Sequence, residues 1–429
     1  MTKINDKHQT LFGIANLMLR QKKYEDAIGV YEFLSEFFPD FTFYKINENY
    51  ARKQLLSIHP DLEQAKNRYH FKSASVYQKL LRMANVISKL NNQDFVKLCF
   101  SSFDIKTDSQ YLLALANASI SKDYNQWMCF VNNYLNANNI LSISLKNRNN
   151  WIGNYPFLNL EQSDLPKTNG PLVTVCMSCF NAEKYVELAI NSILKQSYQN
   201  IEFLLFDDKS TDNTLKILKD ISRKDTRIKL TANSINQGTY ITRNQALQRA
   251  KGEFFTIMDA DDFALPERLS IQVNHLLTNP NHIGVLTEWV RMSESGRFQF
   301  KGYLGGVYQH DAVATLMFRT NTVKEKIGFW DSVRFSADTE FMFRMRNVFG
   351  IETVPLLKIP TEISLFHKDS LTNDPVTGII NGLSPVRKQY RESWTRWHKA
   401  GKDNLFMPFP LKNRKFEAPQ EMICKYSDD

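Results

Sequence analysis

Between residues 172 and 258 short apolar runs alternate with amphipathic segments, and this alternation restricts what the chain can fold into more than any other feature. Residues 172–179 and 201–206 are apolar stretches of strand length, and 227–231 and 253–258 continue the series. Residues 183–196, 213–222 and 242–250, lying between them, carry apolar side chains at helical spacing. An unbroken apolar run suits a strand buried on both faces, and strands that alternate with helices pair in parallel. The spacing therefore predicts an α/β fold: a mostly parallel sheet covered by helices.

The first third of the chain has a different period. From about residue 8 to 145 apolar residues recur at helical spacing with almost no Pro or Gly, which predicts an all-α domain. Within it LFGIANLMLRQKKYEDAIGVYEFLSEFFPD reads as helix, turn and helix, with Ala15, Ala27 and Pro39 placed much as in a tetratricopeptide unit. One such repeat is recognisable, and a role in binding a protein partner or a second copy stands beside a purely packing role. Periodicity is lost from about residue 146, where Asn, Pro and Gly accumulate. The expected organisation is a helical domain at 1–150, a linker at 151–170, the α/β domain at 171–375 and a helical, basic extension at 376–429. A chain of 429 residues also exceeds what one core usually serves.

Composition narrows the function classes. Five scattered cysteines, Cys99, Cys129, Cys176, Cys179 and Cys424, form no disulfide framework and indicate a reducing compartment. Cys176 and Cys179 have C-x-x-C spacing but lie in a strand-like run, where residues three apart face opposite sides. No stretch approaches the roughly 20 apolar residues of a membrane span, and MTKINDKHQT has no apolar signal core, so a cytoplasmic location is expected. The net charge of +9 is concentrated toward the C-terminus at Lys388, Arg391, Arg396, Lys399, Lys402, Lys412, Arg414 and Lys415. These residues form either a solvated helix face or a docking patch for an anionic membrane surface. Nucleic acid is not an expected partner.

In open parallel sheets ligands bind beyond the carboxyl ends of the strands, so the polar residues after each apolar run carry the chemistry. The first run leads into Phe180-Asn181-Ala182, the next into Asp207-Asp208-Lys209-Ser210, and a later one into Asp259-Ala260-Asp261-Asp262. Five carboxylates then gather along one edge, where mutual repulsion must be relieved. A divalent cation does this most simply, and carboxylate oxygens suit Mg²⁺ or Mn²⁺ bridged to substrate phosphates. The competing reading is that these aspartates shape turns or cap helices.

VTVCMSCFNAEKYVELAINSILKQSYQNIEFLLFDDKSTDNT, with NQGTYITRNQAL, KGEFFTIMDADDFALPERL and SADTEFMFRM after it, resembles the family-2 glycosyltransferases of the GT-A fold. The resemblance covers roughly residues 171–372, and NQGTY and SADTEF further resemble bacterial capsule polysaccharide synthases of the heparosan and chondroitin synthase type. It implies a Rossmann-like GT-A domain that moves a sugar from a UDP-sugar to a glycan hydroxyl, with inversion and a Mn²⁺ or Mg²⁺ cofactor, in capsule or surface polysaccharide synthesis. Asp207 and Asp208 match the position that grips the nucleotide base, and Asn181 joins them in the nucleotide-sugar set. Asp259 and Asp261 match the D-x-D motif, the first facing ribose or metal and the second binding metal. Arg243 falls where a cation meets the diphosphate or the donor sugar, with a surface helix position as its alternative. Asp338 matches the catalytic base, although Ala337 replaces the usual glutamate and Glu340 is the backup. His367 falls where relatives often place a histidine near the metal.

Two other classes compete with this reading. A non-catalytic scaffold would bind a glycan or partner through a transferase-like domain, and the altered Ala337 leaves room for it. A glycosidase also uses two carboxylates, but it has no need of a nucleotide pocket followed by D-x-D. A dinucleotide-dependent oxidoreductase is excluded because no G-x-G-x-x-G follows the first strand.

Overall fold

The computed structural model describes residues 8–58, 76–89, 109–120, 123–145, 157, 160–162, 166–301, 307–367, 370, 374, 378, 383–401 and 404–424. Cys99, Lys402 and part of the expected linker lie outside them. The chain divides into two compact units, one of residues 1–139, 147–157 and 291–309, the other of 140–146, 158–290 and 310–429.

The first unit is built on helices α1 (His8–Arg20), α2 (Tyr24–Phe37), α3 (Thr42–Ile58), α4 (Val76–Ser88), α5 (Tyr111–Ser119) and α6 (Tyr124–Ala137). Leu11, Ala15, Ala27, Tyr31, Leu34, Ala51, Leu81 and Ala84 are buried between them. A buried carboxylate must be paired, and Glu32 is held by Arg52 and Arg82, with Glu48 taking a further bond from Arg52 at 2.8 Å. Gly29 allows this arrangement, because a Cβ there would stand 2.9 Å from Cγ of Arg82. Asp123 caps α6, accepting from the backbone N–H of Asn125 at 2.9 Å and Gln126 at 3.3 Å.

Residues 291–309 belong to this helical unit, although the sequence places them deep inside the α/β region. Asn117 donates to the carbonyl of Phe298 at 2.8 Å and accepts from its N–H at 2.7 Å. Gln110 accepts from the N–H groups of Tyr308 and Gln309 at 2.8 and 2.9 Å. Trp127 donates to Gly296 at 3.1 Å and stacks on Phe298 with ring centroids 6.1 Å apart.

The second unit opens with a short antiparallel pair, β1 (Ile143–Leu145) and β2 (Leu160–Gln162), in stretches whose sequence suggested helix and linker. Each strand is only three residues, too short to leave a readable alternation. The Gln162 side chain ties the pair down by donating to the carbonyls of Ser192 and Ala264, both at 2.8 Å.

The main elements follow as β3 (Val173–Cys179), α7 (Val186–Leu194), β4 (Ile201–Asp207), α8 (Thr214–Ser222), β5 (Ile228–Ala232), α9 (Thr239–Arg249), β6 (Phe254–Ile257) and β7 (Phe263–Ala264). After them come α10 (Arg268–Thr278), β8 (Gly284–Ser293), β9 (Gln309–Arg319), α11 (Thr320–Lys326), α12 (Ala337–Phe349), β10 (Leu356–Phe366) and α13 (Pro385–Ala400). One eight-stranded sheet has the order β5-β4-β3-β6-β9-β8-β10-β7. Strands β5, β4, β3 and β6 are parallel, whereas β9 joins β6 and β7 joins β10 antiparallel, so the sheet is mixed. The parallel register, Val173 beside Ile201 and Phe254, and Cys179 beside Asp207, aligns the carboxyl ends of β3 and β4.

Each face of this sheet has its own core. Val175, Met177, Ile190, Phe203, Leu205 and Leu269 pack on one side. Cys176, Leu204, Phe206, Leu247, Phe318, Trp330, Phe341 and Trp394 pack on the other. Cys176 and Cys179 fall in opposite cores as unpaired thiols, and burial pushes Cys176 up to about 12, far from thiolate chemistry. Among the described residues no helix is long and apolar enough to cross a membrane.

Truncating a large buried aromatic costs about 3–5 kcal/mol, and Trp127 also holds the inserted 291–309 segment. Trp127→Ala is therefore expected to lose several kcal/mol in denaturant titration of the helical unit's transition. An unchanged midpoint would contradict the role given to this insertion.

Candidate active site

The carboxyl ends of β3 and β4 are sewn together by their own loops. Asn181, in a left-handed conformation at φ +49°, accepts from the Thr211 N–H at 2.8 Å, and its own N–H donates to the Ser210 hydroxyl at 3.1 Å. Asp212 accepts from the N–H groups of Thr214 and Glu183 at 2.9 and 3.1 Å. The Asn181 side chain thus shapes the wall of the site, and neighbouring Phe180 leaves half its surface exposed there (51%).

The paired aspartates at the end of β4 are both buried but do different work. Asp208 accepts from Gln237 N–H and the Asn233 side chain through one oxygen, at 3.0 and 2.9 Å, and from Gly238 N–H through the other, at 2.7 Å. Its carboxylate is spent on folding the 233–238 loop, whose Gly238 sits at φ +86°, a conformation that disfavours a Cβ. Asp207 is only half satisfied: Oδ2 accepts from Ser210 N–H at 3.2 Å, while Oδ1 is buried without a partner among the described residues. A buried acceptor left open at a sheet edge asks for a donor from outside the chain.

The 233–238 loop delivers α9, which carries Arg243 into the site and not onto the surface. Arg243 is 6% exposed, donates to Asp259 at 2.6 Å and lies 5.2 Å from the centroid of the Tyr240 ring. Burial raises the pKa of Asp259 and Arg243 lowers it, while Asp261 and Asp338 raise it further, leaving it above the usual carboxylate range. Two residues on, Asp261 meets His367, with Nε2 and Oδ2 3.1 Å apart, and His367 in turn lies against the Tyr185 ring at 5.6 Å. Among the described residues no group of three or more His, Cys, Asp or Glu converges as a metal cage.

The third acid of the D-A-D-D run faces inward. Asp262 accepts from Leu365 N–H at 2.8 Å and shares a hydrogen bond with Glu362, which pairs with the fully buried Arg268. Burial, together with the charges of Asp261, Glu362 and Asp259, holds Asp262 well above the usual carboxylate range.

Asp338 stands in the first turn of α12, just after Ser336 in the left-handed region at φ +71°. Its Oδ1 accepts from Thr339 N–H at 2.7 Å. Its charge reaches Asp259, Arg243 and Tyr240, which places it on the same side of the sheet edge as the D-x-D run. Glu340, the backup for the base, is fully buried and committed to Arg344 and His398, each at 2.8 Å. Burial raises the Glu340 pKa, but Arg344 and His398 outweigh it and keep the carboxylate ionised below its ordinary value. It is a structural anchor, not a base.

The residues that sequence reasoning did not single out are Tyr240 and Arg387. Tyr240 is buried, with its hydroxyl oxygen bonded to the Asp338 backbone and burial raising its pKa. Arg387 donates to the Ser336 hydroxyl at 2.6 Å from a helix some 50 residues further on. Tyr240 was visible in NQGTY as a residue but gave no hint of its depth, and Arg387 was hidden among the other C-terminal cations.

Residues 174–346 match the glycosyl transferase family 2 model. An uncharacterized glycosyltransferase of Haemophilus influenzae is 44% identical over 111 residues, 26% of this chain and 44% of that protein. The Escherichia coli UDP-Glc:alpha-D-GlcNAc-diphosphoundecaprenol beta-1,3-glucosyltransferase WfgD is 40% identical over 108 residues, 25% of this chain and 42% of that protein. An uncharacterized glycosyltransferase of Methanocaldococcus jannaschii is 30% identical over 187 residues, 41% of this chain and 64% of that protein. The first two similarities cover less than half of each relative's length. The mixed, largely parallel sheet with its helices is GT-A-like.

A carboxyl protonated in the fold but ionised in the unfolded chain costs stability as pH rises above about 3.9, up to its raised folded pKa. Asp262→Asn removes that cost and is expected to be at least as stable as the parent at pH 8 with EDTA present. Arg268→Met leaves Glu362 buried without its cation and is expected to lose about 3–5 kcal/mol. Denaturant titration checks both, and marked destabilisation by Asp262→Asn would mean that this acid is ionised in the fold.

Proposed function

We propose that this chain, which carries a family-2 glycosyltransferase domain over residues 174–346, transfers a sugar from a UDP-sugar to a glycan hydroxyl with inversion. The observation that carries the reading is the Oδ1 of Asp207, buried without a partner among the described residues, with the half-exposed Phe180 one residue past Cys179, the strand partner of Asp207. A uracil offers a ring N–H to such an acceptor and a face to such an aromatic. The UDP-Glc donor in the name of the E. coli relative adds support. Arg243, held in place by Asp259, is the cation available to the diphosphate.

Asp261 and His367 put a carboxylate oxygen beside an imidazole nitrogen, both partly exposed, and these two residues would hold Mn²⁺ or Mg²⁺. A bound cation would supply charge stabilisation for the departing diphosphate. Asp259, expected to share the metal, is engaged by Arg243 and acts here by orienting it. In the transfer, the acceptor oxygen forms a bond to the anomeric carbon as the bond to the UDP oxygen breaks on the opposite side. The hydroxyl proton passes to Asp338, whose second oxygen accepts no bond among the described residues.

The wider reading is an enzyme of bacterial capsule or surface polysaccharide synthesis, placed in the cytoplasm or peripherally on the inner face of the membrane through its basic C-terminal residues. The first helical pair is read as tetratricopeptide-like, a surface for a protein partner or a second copy.

Asp261→Asn and Asp338→Asn are each expected to lower turnover of the preferred UDP-sugar by about 10²–10⁴-fold, the range for loss of a positioned acid–base or charge-stabilising group. Circular dichroism should show both folded, and EDTA should silence the parent until Mn²⁺ or Mg²⁺ is restored. Near-normal turnover by either variant would remove the role given to that residue.

A further inference from the structure

The turn that presents Asp338 is held from outside the family-matched segment. Ser336 precedes α12 in a left-handed conformation, and its side chain makes no capping bond to the helix that follows. A non-glycine residue in that region is under strain and persists only where its surroundings impose it. The hydroxyl is instead the acceptor for Arg387 Nη1, at 2.6 Å, and the Arg387 guanidinium lies 4.8 Å from the centroid of the Phe335 ring. Two consecutive residues immediately before the Asp338 turn are therefore pinned by one planar cation.

Arg387 is itself rigidly placed. It lies in the first turn of α13, where Pro385 opens the helix and the Ser384 hydroxyl accepts from the Arg387 N–H at 3.4 Å. The helix is fastened to α12 by His398 on Glu340 at 2.8 Å and by Trp394 against Phe343 at 5.7 Å, and to the preceding loop by Tyr390 on Asp331 at 2.9 Å. The buried Tyr240 hydroxyl meets the Asp338 backbone from α9. Burial lowers the Arg387 pKa, and Tyr240, Asp338 and Asp374 oppose that shift, which sets the guanidinium within electrostatic reach of the base.

We propose that Arg387 is a positioning residue for Asp338, so that the C-terminal helix completes the active site by fixing the Phe335–Ser336 turn. The proposal rests on the reading of Asp338 as the base. Arg387 does not touch substrate; it acts through the turn, and its loss should change how well the base is aimed without changing how nucleotide is held. Lysine keeps the charge but lacks the planar fork and the ring stacking, so it restores only part of the effect.

The test compares Arg387→Met, Arg387→Lys, Ser336→Ala and the Arg387→Met/Ser336→Ala double variant in the full chain. UDP release to water from UDP-glucose, UDP-N-acetylglucosamine and UDP-glucuronate is followed with Mn²⁺ present, alongside hydrogen exchange of the peptide covering 336–340. Arg387→Met is expected to lower kcat about 10–100-fold with KM for the donor moved less than about threefold, the signature of an interaction that acts in the transition state. Amides 336–340 should exchange about tenfold faster while those of β3 and β4 keep their protection. Arg387→Lys should fall between, and the double variant should be little worse than Arg387→Met, because the two residues act through one contact. Unchanged kcat and unchanged 336–340 exchange in Arg387→Met would overturn the proposal, as would fully additive single variants. If Arg387→Met fails to fold, Arg387→Lys and Ser336→Ala decide it by the same two readouts. Asp338→Asn runs in parallel: if it keeps its turnover, the base assignment falls. A silent parent with all three sugars would count against the proposed reaction, and the exchange result then decides the positioning role.

Discussion

Bringing Asp207, Asp208, Asp259, Asp261 and Asp262 to the carboxyl edge of one sheet costs free energy through repulsion and lost hydration, and each carboxylate has to be answered by a partner. The answers differ, and they decide where the surrounding chain goes. Backbone amides of the 233–238 loop answer Asp208 and thereby aim α9. Arg243, carried by α9, answers Asp259. Asp262, its pKa raised by burial, leans on Glu362, which pairs with Arg268. Asp261 meets His367, while one oxygen of Asp207 is answered by nothing among the described residues. The site is what remains after folding has used the carboxylates it needs.

This division explains which parts were legible beforehand. Apolar runs such as 172–179 and 201–206 announce strands because burial on both faces leaves no other economical reading, and β3 and β4 fall there. Their register then puts Asp207 beside Cys179, so the edge on which the acids collect was also readable. The individual duties were not. Asp207 and Asp208 are adjacent and chemically identical, and only the path of the 233–238 loop separates a half-satisfied carboxylate from a fully satisfied one. Glu340 looked like a spare base until Arg344, one turn on, and His398, in a distant helix, were seen to claim it. The insertion of 291–309 into the helical unit was hidden for the same reason, since nothing in Phe298 or Tyr308 names Asn117 or Gln110 as a partner.

Buried ion pairs join the apolar core in linking the elements behind the site. Arg344 binds Glu340 and the carbonyls of Ile327 and Phe329 at once, and Arg414 reaches Asp331 at 2.5 Å beside Tyr390. Such groups are costly to bury singly, so a change to one member is felt across α12 and α13 together. That coupling connects the C-terminal extension with the turn before Asp338. It also shows why the basic residues there are not all one surface: Arg387 and Arg414 are structural, whereas Lys399 and Lys412 have no such burial.

The open oxygen of Asp207 and the Asp261–His367 pair are the proposed site for a uridine diphosphate and its cation. Calorimetric titration of the full chain with UDP, GDP and CDP, each with Mn²⁺ and again with EDTA, tests it most directly. Saturable binding of UDP with Mn²⁺ is expected, at least about tenfold weaker with EDTA, and at least about tenfold weaker for GDP and CDP, each a difference of about 1.4 kcal/mol. Equal binding of all three nucleotides, or none by a folded protein, would contradict it.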